Sequence, residues 1–221
     1  MIPVYIISRN DAPERLVALW ADAERLGISI VRVGTDGSES SHRAHAKAWK
    51  KIAEGDAPFA VILDDDVRFD ERLVSLLDRD FLARALPPRS IVVLDRMEDR
   101  EPAELDMAII KPRSLRSRGQ AYIASRVAAR QLLSLPQTDE PLQRVFARQN
   151  EHGISVLAVM PSPVTIMVDD SVGEPEAQTS FVSVTIETVR RWFGTKTTFE
   201  PIPVPAPSVE AHAKAEPANV V

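Results

Sequence analysis

Apolar and polar positions along this chain fall into short blocks of two kinds. Residues 4–8, 28–33, 59–63, 90–94, 107–110, 120–124, 154–159 and 164–168 are brief apolar runs bounded by polar or turn residues, the pattern of buried strands. Between several of them the apolar positions recur at helical spacing. Asp11 and Glu14 suit the start of a helix whose stripe is Leu16, Leu19, Trp20, Ala23 and Leu26, with Pro13 in the first turn and Gly27 at the exit. Residues 41–54 predict a second helix, with Ala44, Ala48 and Ile52 on one face and His45 and Trp49 on a neighbouring row. Asp70 can cap a short helix carrying Leu73, Leu76, Leu77 and Phe81. Ser125 can start another with Ala128, Leu132 and Leu135 inward, and residues 140–149 bury Leu142, Val145 and Phe146. Strands that alternate with helices predict an α/β layered domain with a mostly parallel sheet flanked by helices.

One strand carries the chemistry. Phe59-Ala60-Val61-Ile62-Leu63 runs straight into Asp64-Asp65-Asp66. Three adjacent carboxylates repel each other, so a buried strand that ends this way needs a reason. On an extended chain Asp64 and Asp66 point to one side and Asp65 to the other. Two same-side carboxylates can hold a hard cation such as Mg²⁺ or Mn²⁺, with a phosphate-bearing substrate and waters supplying further oxygens. A solvated loop with one helix-capping Asp is the plainer reading. In parallel sheets ligands bind at the carboxyl ends of strands. The polar loops 8–11 and 34–37 leave the first two strands at the same kind of end, which sketches a nucleotide cleft.

Composition narrows the class. The 221 residues carry a net charge of -5, which leaves no basic surplus to neutralise nucleic-acid phosphates. Arg113, Arg116 and Arg118 form a local basic cluster that reads as a solvated loop. There is no cysteine, which excludes disulfides and thiolate metal sites and fits a reducing compartment. The first residues lack a basic start and a signal-like apolar stretch, and no run reaches membrane-span length. The expectation is a cytoplasmic protein with at most peripheral contact at the inner membrane. Proline alternates from Pro201 to Pro207, so residues 1–195 read as the domain and 196–221 as a Pro/Ala-rich, disordered tail.

The ordered set of motifs is similar to a known family. The Pro13-Glu14-Arg15 helix start, Asp36-Gly37, Ser41-His42, Trp49-Lys50-Lys51-Ile52 and Leu63-Asp64-Asp65-Asp66-Val67 resemble glycosyltransferase family 25. That is the family of lipopolysaccharide and lipooligosaccharide biosynthesis enzymes. Ala121-Tyr122 followed by Ser125 looks like its Ala-Tyr-x-x-Ser segment, and Asp139 falls where it has a Pro-x-Asp. The resemblance spans about residues 4–168. Glu39-Ser40 stands where the family has Gly-Cys, and Gly119-Gln120 replaces its usual Thr.

What the resemblance implies is a fold of the GT-A type, a nucleotide-sugar donor (a UDP-sugar foremost) and a galactose-like sugar passed to an oligosaccharide or lipid-linked acceptor. Asp64 and Asp66 would hold the Mn²⁺ or Mg²⁺, and Asp65 would face ribose or brace the loop. Ser8, Arg9 and Arg15 lie around the first strand's end and would face the base or phosphates, Arg15 reading equally as an exposed helix charge, and Asp36 would join the donor site. His42 reads from spacing as a capping or core-edge histidine and from the resemblance as a donor-phosphate contact. Gly119, Gln120 and Tyr122 would shape the acceptor side. Asp139 reads equally as the general base or as a helix cap. A domain that has lost catalysis and binds a nucleotide or a partner is the second reading. A hydrolase with an Asp-x-Asp nucleophile fits poorly, because Arg68 stands where it wants Thr or Val.

Overall fold

The computed structural model describes residues 1–9, 13–35, 40–95, 106–112, 117–136, 140–148, 152–167 and 202–205. Its elements in order are β1 (Val4–Arg9), α1 (Pro13–Arg25), β2 (Ile30–Thr35), α2 (Ser41–Glu54), β3 (Phe59–Asp64), β4 (Val67–Phe69), α3 (Arg72–Ser75), α4 (Arg79–Ala85), β5 (Ser90–Val93), β6 (Ala108–Ile110), β7 (Ala121–Ser125), α5 (Arg126–Ser134), α6 (Leu142–Ala147), β8 (Ser155–Met160), β9 (Val164–Ile166) and β10 (Ile202–Pro203).

The predicted α/β layering is what the chain adopts. An eight-stranded sheet runs in the order β10-β6-β8-β5-β7-β3-β1-β2, and β4 pairs with β9 apart from it. The sheet is mostly parallel in direction: β1, β2, β3, β5, β8 and β10 point one way, and β6 and β7 are reversed. The reversal of β7 has a functional consequence. Being antiparallel between β3 and β5, it begins at the edge where those two strands end.

Alternation along the strands builds two cores. In β3, Val61 and Leu63 join Ile6, Leu19, Leu73 and Leu82 on one face, while Ala60 and Ile62 join Trp49, Tyr122, Leu132 and Phe146 on the other. Burying each large aliphatic side chain contributes about 1.5–3 kcal/mol, so this strand, buried from Phe59 to Leu63, is firmly held. Ser125 caps α5 as expected, its Oγ accepting from Ala128 N at 3.1 Å.

Four expectations change. The single short helix after Asp70 is two helices, because Asp78 accepts from Asp80 N and Phe81 N and starts α4 afresh. The predicted strand at 164–168 pairs with β4, which the apolar pattern missed in so short a segment. Trp20, counted in the α1 stripe, is 46% exposed, since α1 meets the sheet through Leu19 and Ala23. Part of the stretch expected to be a disordered tail also enters the sheet. Ile202 and Pro203 pair antiparallel with β6, Val204 N donates to Met107 O at 2.7 Å, and Val204 is buried. Alternating proline is compatible with this because β10 is an edge strand, where proline's missing N–H can face away from the ladder. No described helix is long and apolar enough to cross a membrane.

Candidate functional site

The carboxyl ends of β1, β2 and β3 lie side by side, with Ser8 opposite Gly34 and Ile7 opposite Asp64. At this edge sits a cleft of about 290 Å³. Asp64, Asp65 and Asp66 form one part of its wall, and Arg15, Arg118 and Gln120 another. Ser41, Ala44 and His45 of α2 and Ile7 of β1 complete it.

Backbone bonds fix the acidic segment on both sides. Asp64 N donates to Gln120 O at 2.7 Å, and Met167 N donates to Asp66 O at 2.7 Å. The chain turns at Asp65 and Asp66 instead of continuing extended. Simple alternation therefore fails there, and all three acidic residues line the cleft, including Asp65, which was expected to point away.

The electrostatics are those of a site built for positive charge. Burial first, and then the neighbouring Asp64 and Asp65 charges, raise the Asp66 carboxyl to about 6, with a backbone hydrogen bond and Arg15 partly opposing them. Gln120 Nε2 donates to Asp66 Oδ2. Asp66 Oδ1, Asp64 Oδ1 and Gln120 Oε1 are buried oxygens with no hydrogen-bond partner. Three unsatisfied acceptors beside mutually repelling carboxylates are costly unless a donor or cation meets them. Hard divalent ions take oxygen ligands of this kind. The residues therefore fit a divalent ion as part of its shell. Among the described residues no group of three His, Cys, Asp or Glu side chains could enclose one. A bound diphosphate and water would have to supply the rest.

A second buried acid holds the loop that carries Arg118 and Gln120. Asp95 follows β5 and is 1% exposed. It accepts from Ser117 Oγ at 2.6 Å, Gln120 N at 2.9 Å and Arg118 N at 3.2 Å. Burial raises its carboxyl above the ordinary range, and these donors pull the other way, Ser117 foremost. Gly119, between Arg118 and Gln120, has φ +78°, and a Cβ there would lie 2.8 Å from Leu142 Cβ.

Of the residues singled out from sequence, Arg15, Asp64, Asp65, Asp66 and Gln120 meet in the cleft. Others are placed elsewhere. Tyr122 is fully buried, its hydroxyl held by Trp49 Nε1 at 2.7 Å and His45 Nδ1 at 2.9 Å, so it faces no acceptor. His42 is 2% exposed and packs edge-on against Trp49 with ring centroids 5.3 Å apart, inside α2's buried side and off the cleft wall. Gly119 is packed under Leu142, so it shapes the loop and not the acceptor surface. Ser8 is buried at the end of β1, away from the wall. Arg9 ends β1 opposite Thr35. Asp36 and Asp139 lie outside the described residues.

Three residues were missed: His45, Asp95 and Arg118, the last read as part of a solvated basic loop although it lines the cleft. His45 was read only as part of a polar-aromatic row beside the α2 stripe. Its Nε2 stands 3.1 Å from Asp64 Oδ1, although neither atom has an aligned hydrogen bond. Asp95 had a legible signal: Ile91-Val92-Val93-Leu94-Asp95 repeats the apolar-run-then-acid pattern of Val61-Ile62-Leu63-Asp64.

No protein-family model matches the chain, and no curated protein matches it. Solved structures do. One is the inositol-1-phosphate CTP transferase from T. maritima, at 10% identity and TM-score 0.40, covering 74% of this chain and 69% of that one. A glycosyltransferase involved in glycosylation of the major capsid of PBCV-1 matches at 12% identity and TM-score 0.45, covering 75% and 94%. The nucleoside-diphosphate-sugar pyrophosphorylase from Vibrio cholerae RC9 matches at 14% and 0.41, covering 76% and 77%. At these scores the likeness is one of coarse chain path only.

Proposed function

We propose that the protein is a divalent-cation-dependent glycosyltransferase that draws on a nucleotide-sugar donor, a UDP-sugar foremost. The observation that carries this reading is the acidic triplet: three carboxylates at a strand's end, on the wall of one cleft, with Asp66 Oδ1 lacking a hydrogen-bond partner. Arg15 and Arg118 on the same wall suit the donor's phosphates.

In the transfer, the bond from the sugar's anomeric carbon to the diphosphate oxygen breaks and a bond to an acceptor hydroxyl forms. The diphosphate leaves with the bonding electron pair, so negative charge grows on it. A divalent ion on Asp64 and Asp66 would supply charge neutralisation there. Arg15 and Arg118 would hold the phosphates, and Gln120 would fix the Asp66 carboxylate through its amide. The acceptor's proton goes to a carboxylate base, for which Asp139 remains the proposal. Following the family 25 resemblance, we place the reaction in surface-polysaccharide synthesis, with a galactose-like sugar, a saccharide or lipid-linked acceptor, and peripheral contact at the cytoplasmic face of the inner membrane.

The test is donor hydrolysis by purified protein across UDP-, GDP- and CMP-sugars, with Mn²⁺ and with EDTA. Release from one donor that needs the metal and disappears in Asp66→Ala supports the reading and names the donor. No release, with no metal-dependent nucleotide binding, sinks it in favour of a domain that binds a partner without turnover. Unchanged acceptor transfer in Asp139→Asn removes that residue from the role of base.

A further inference from the structure

The polar row on α2 forms a chain of contacts that ends at the acidic triplet. His45, Trp49 and Tyr122 sit in an otherwise apolar core and are each at most 1% exposed. Polar groups buried there are costly unless they are hydrogen-bonded, so their pairing is informative. Donor chemistry sets the direction of one link, and the histidine tautomer sets the other. Indole nitrogen can only donate, so Trp49 Nε1–H donates to the Tyr122 hydroxyl oxygen at 2.7 Å. In the tautomer that gives the Tyr122 O–H an acceptor, it donates to His45 Nδ1 at 2.9 Å. A neutral imidazole that accepts at Nδ1 carries its hydrogen on Nε2. That atom stands 3.1 Å from Asp64 Oδ1, a close contact without an aligned hydrogen bond.

The rings hold this line in place. Tyr122 stacks on His45 with centroids 5.7 Å apart and takes the edge of Phe146 at 4.9 Å. The carboxylate at the far end is 22% exposed, while its Oδ1 is buried toward the histidine. One oxygen thus faces the interior, which leaves the other for the cleft.

We propose that His45 is a positioning residue for Asp64. Fixed from behind by Tyr122 and Trp49, it holds Nε2 against Asp64 Oδ1 at 3.1 Å, a close polar contact short of an aligned hydrogen bond, and this contact sets the rotamer in which Asp64 turns its outer oxygen to a divalent cation. This rests on the cation reading given above. Partners that orient a metal's ligands in this way typically change affinity by about 10–100-fold when removed.

The test reads Mn²⁺ binding by electron paramagnetic resonance, with the ion alone and then with UDP present, and without turnover. Tyr122→Phe keeps the ring packing and removes only the hydroxyl. His45→Leu removes the donor, and His45→Gln returns an N–H near the position of Nε2. Phe146→Leu serves as a packing control on the same cluster. The expected result is weaker Mn²⁺ binding by about 10–100-fold in His45→Leu, a smaller loss in Tyr122→Phe, recovery in His45→Gln and little change in Phe146→Leu. Wild-type affinity in both His45→Leu and Tyr122→Phe overturns the proposal, as does an equal loss in Phe146→Leu. Should His45→Leu not fold, Tyr122→Phe against Phe146→Leu decides it. Absence of Mn²⁺ binding by the wild type is a different failure: it removes the cation reading itself, and this proposal with it.

Discussion

Replacing Asp66 with Asn should make the metal-free protein more stable at pH 8. The carboxyl is raised from 3.8 to about 6, first by burial and then by Asp64 and Asp65. Each tenfold change in proton affinity corresponds to about 1.4 kcal/mol, so the rise amounts to roughly 3 kcal/mol against the ionised form. Asp66 lines an open cleft, and solvent screening reduces this to roughly 1–2 kcal/mol. Asn keeps an acceptor for Gln120 Nε2 and removes the charge, so little is lost in exchange.

The pH window follows from the direction of the shift. A carboxyl whose folded value lies above its unfolded one keeps its proton in the folded state while the unfolded chain releases it. Its contribution to stability therefore falls as pH rises from about 4 to about 6 and is constant above. The advantage of Asp66→Asn should be full at pH 8, about half as large at pH 5 and absent below both values. In a chain of this size it corresponds to a melting temperature about 3–6 °C higher at pH 8. The assay is thermal unfolding in EDTA at pH 8 and pH 5, repeated with millimolar Mn²⁺. The metal should raise the wild-type transition and leave the variant's where it was. A variant no more stable than wild type at pH 8, or equally favoured at both pH values, would refute the electrostatic account of the triplet.

The loop facing the triplet offers three further tests. Gly119→Ala combines a left-handed φ with a Cβ 2.8 Å from Leu142 Cβ, so it should cost about 2–4 kcal/mol, read from urea unfolding. A loss under 0.5 kcal/mol would show that the loop relaxes freely. Asp95→Ala strands the donors of Ser117, Arg118 and Gln120 and should cost about 1–3 kcal/mol, with faster amide exchange at Arg118 and Gln120 as its local signature. Arg118→Ala should weaken UDP binding about tenfold, with the melting temperature unchanged because the side chain is exposed; equal affinity would place the phosphates elsewhere.

The order of strands and helices was legible in the sequence because each element satisfies itself locally. Apolar runs such as 59–63 and stripes such as Ala44, Ala48 and Ile52 fix an element's type and the side it buries. The acidic triplet was legible for the same reason: an apolar run ending in carboxylates is a strand that delivers charge to a sheet edge. Sequence also supplied Arg15, through the Pro13-Glu14-Arg15 helix start, and Gln120, at a position beside Ala121-Tyr122 where the resemblance breaks.

Only the tertiary structure decided what meets what. Residues 45, 64 and 122 are far apart in sequence, and no local pattern says that β7 enters beside β3 in reverse. That pairing delivers Gln120 to Asp66 and turns Tyr122 inward to His45. On α2, His42 packs against Trp49 and His45 comes within 3.1 Å of Asp64. The turn at Asp65 and Asp66 brings all three acids to one wall, which extended alternation alone would have split. Local pattern reports which face of an element is apolar; the partner across that face is set by long-range packing, and the site is made of such partners.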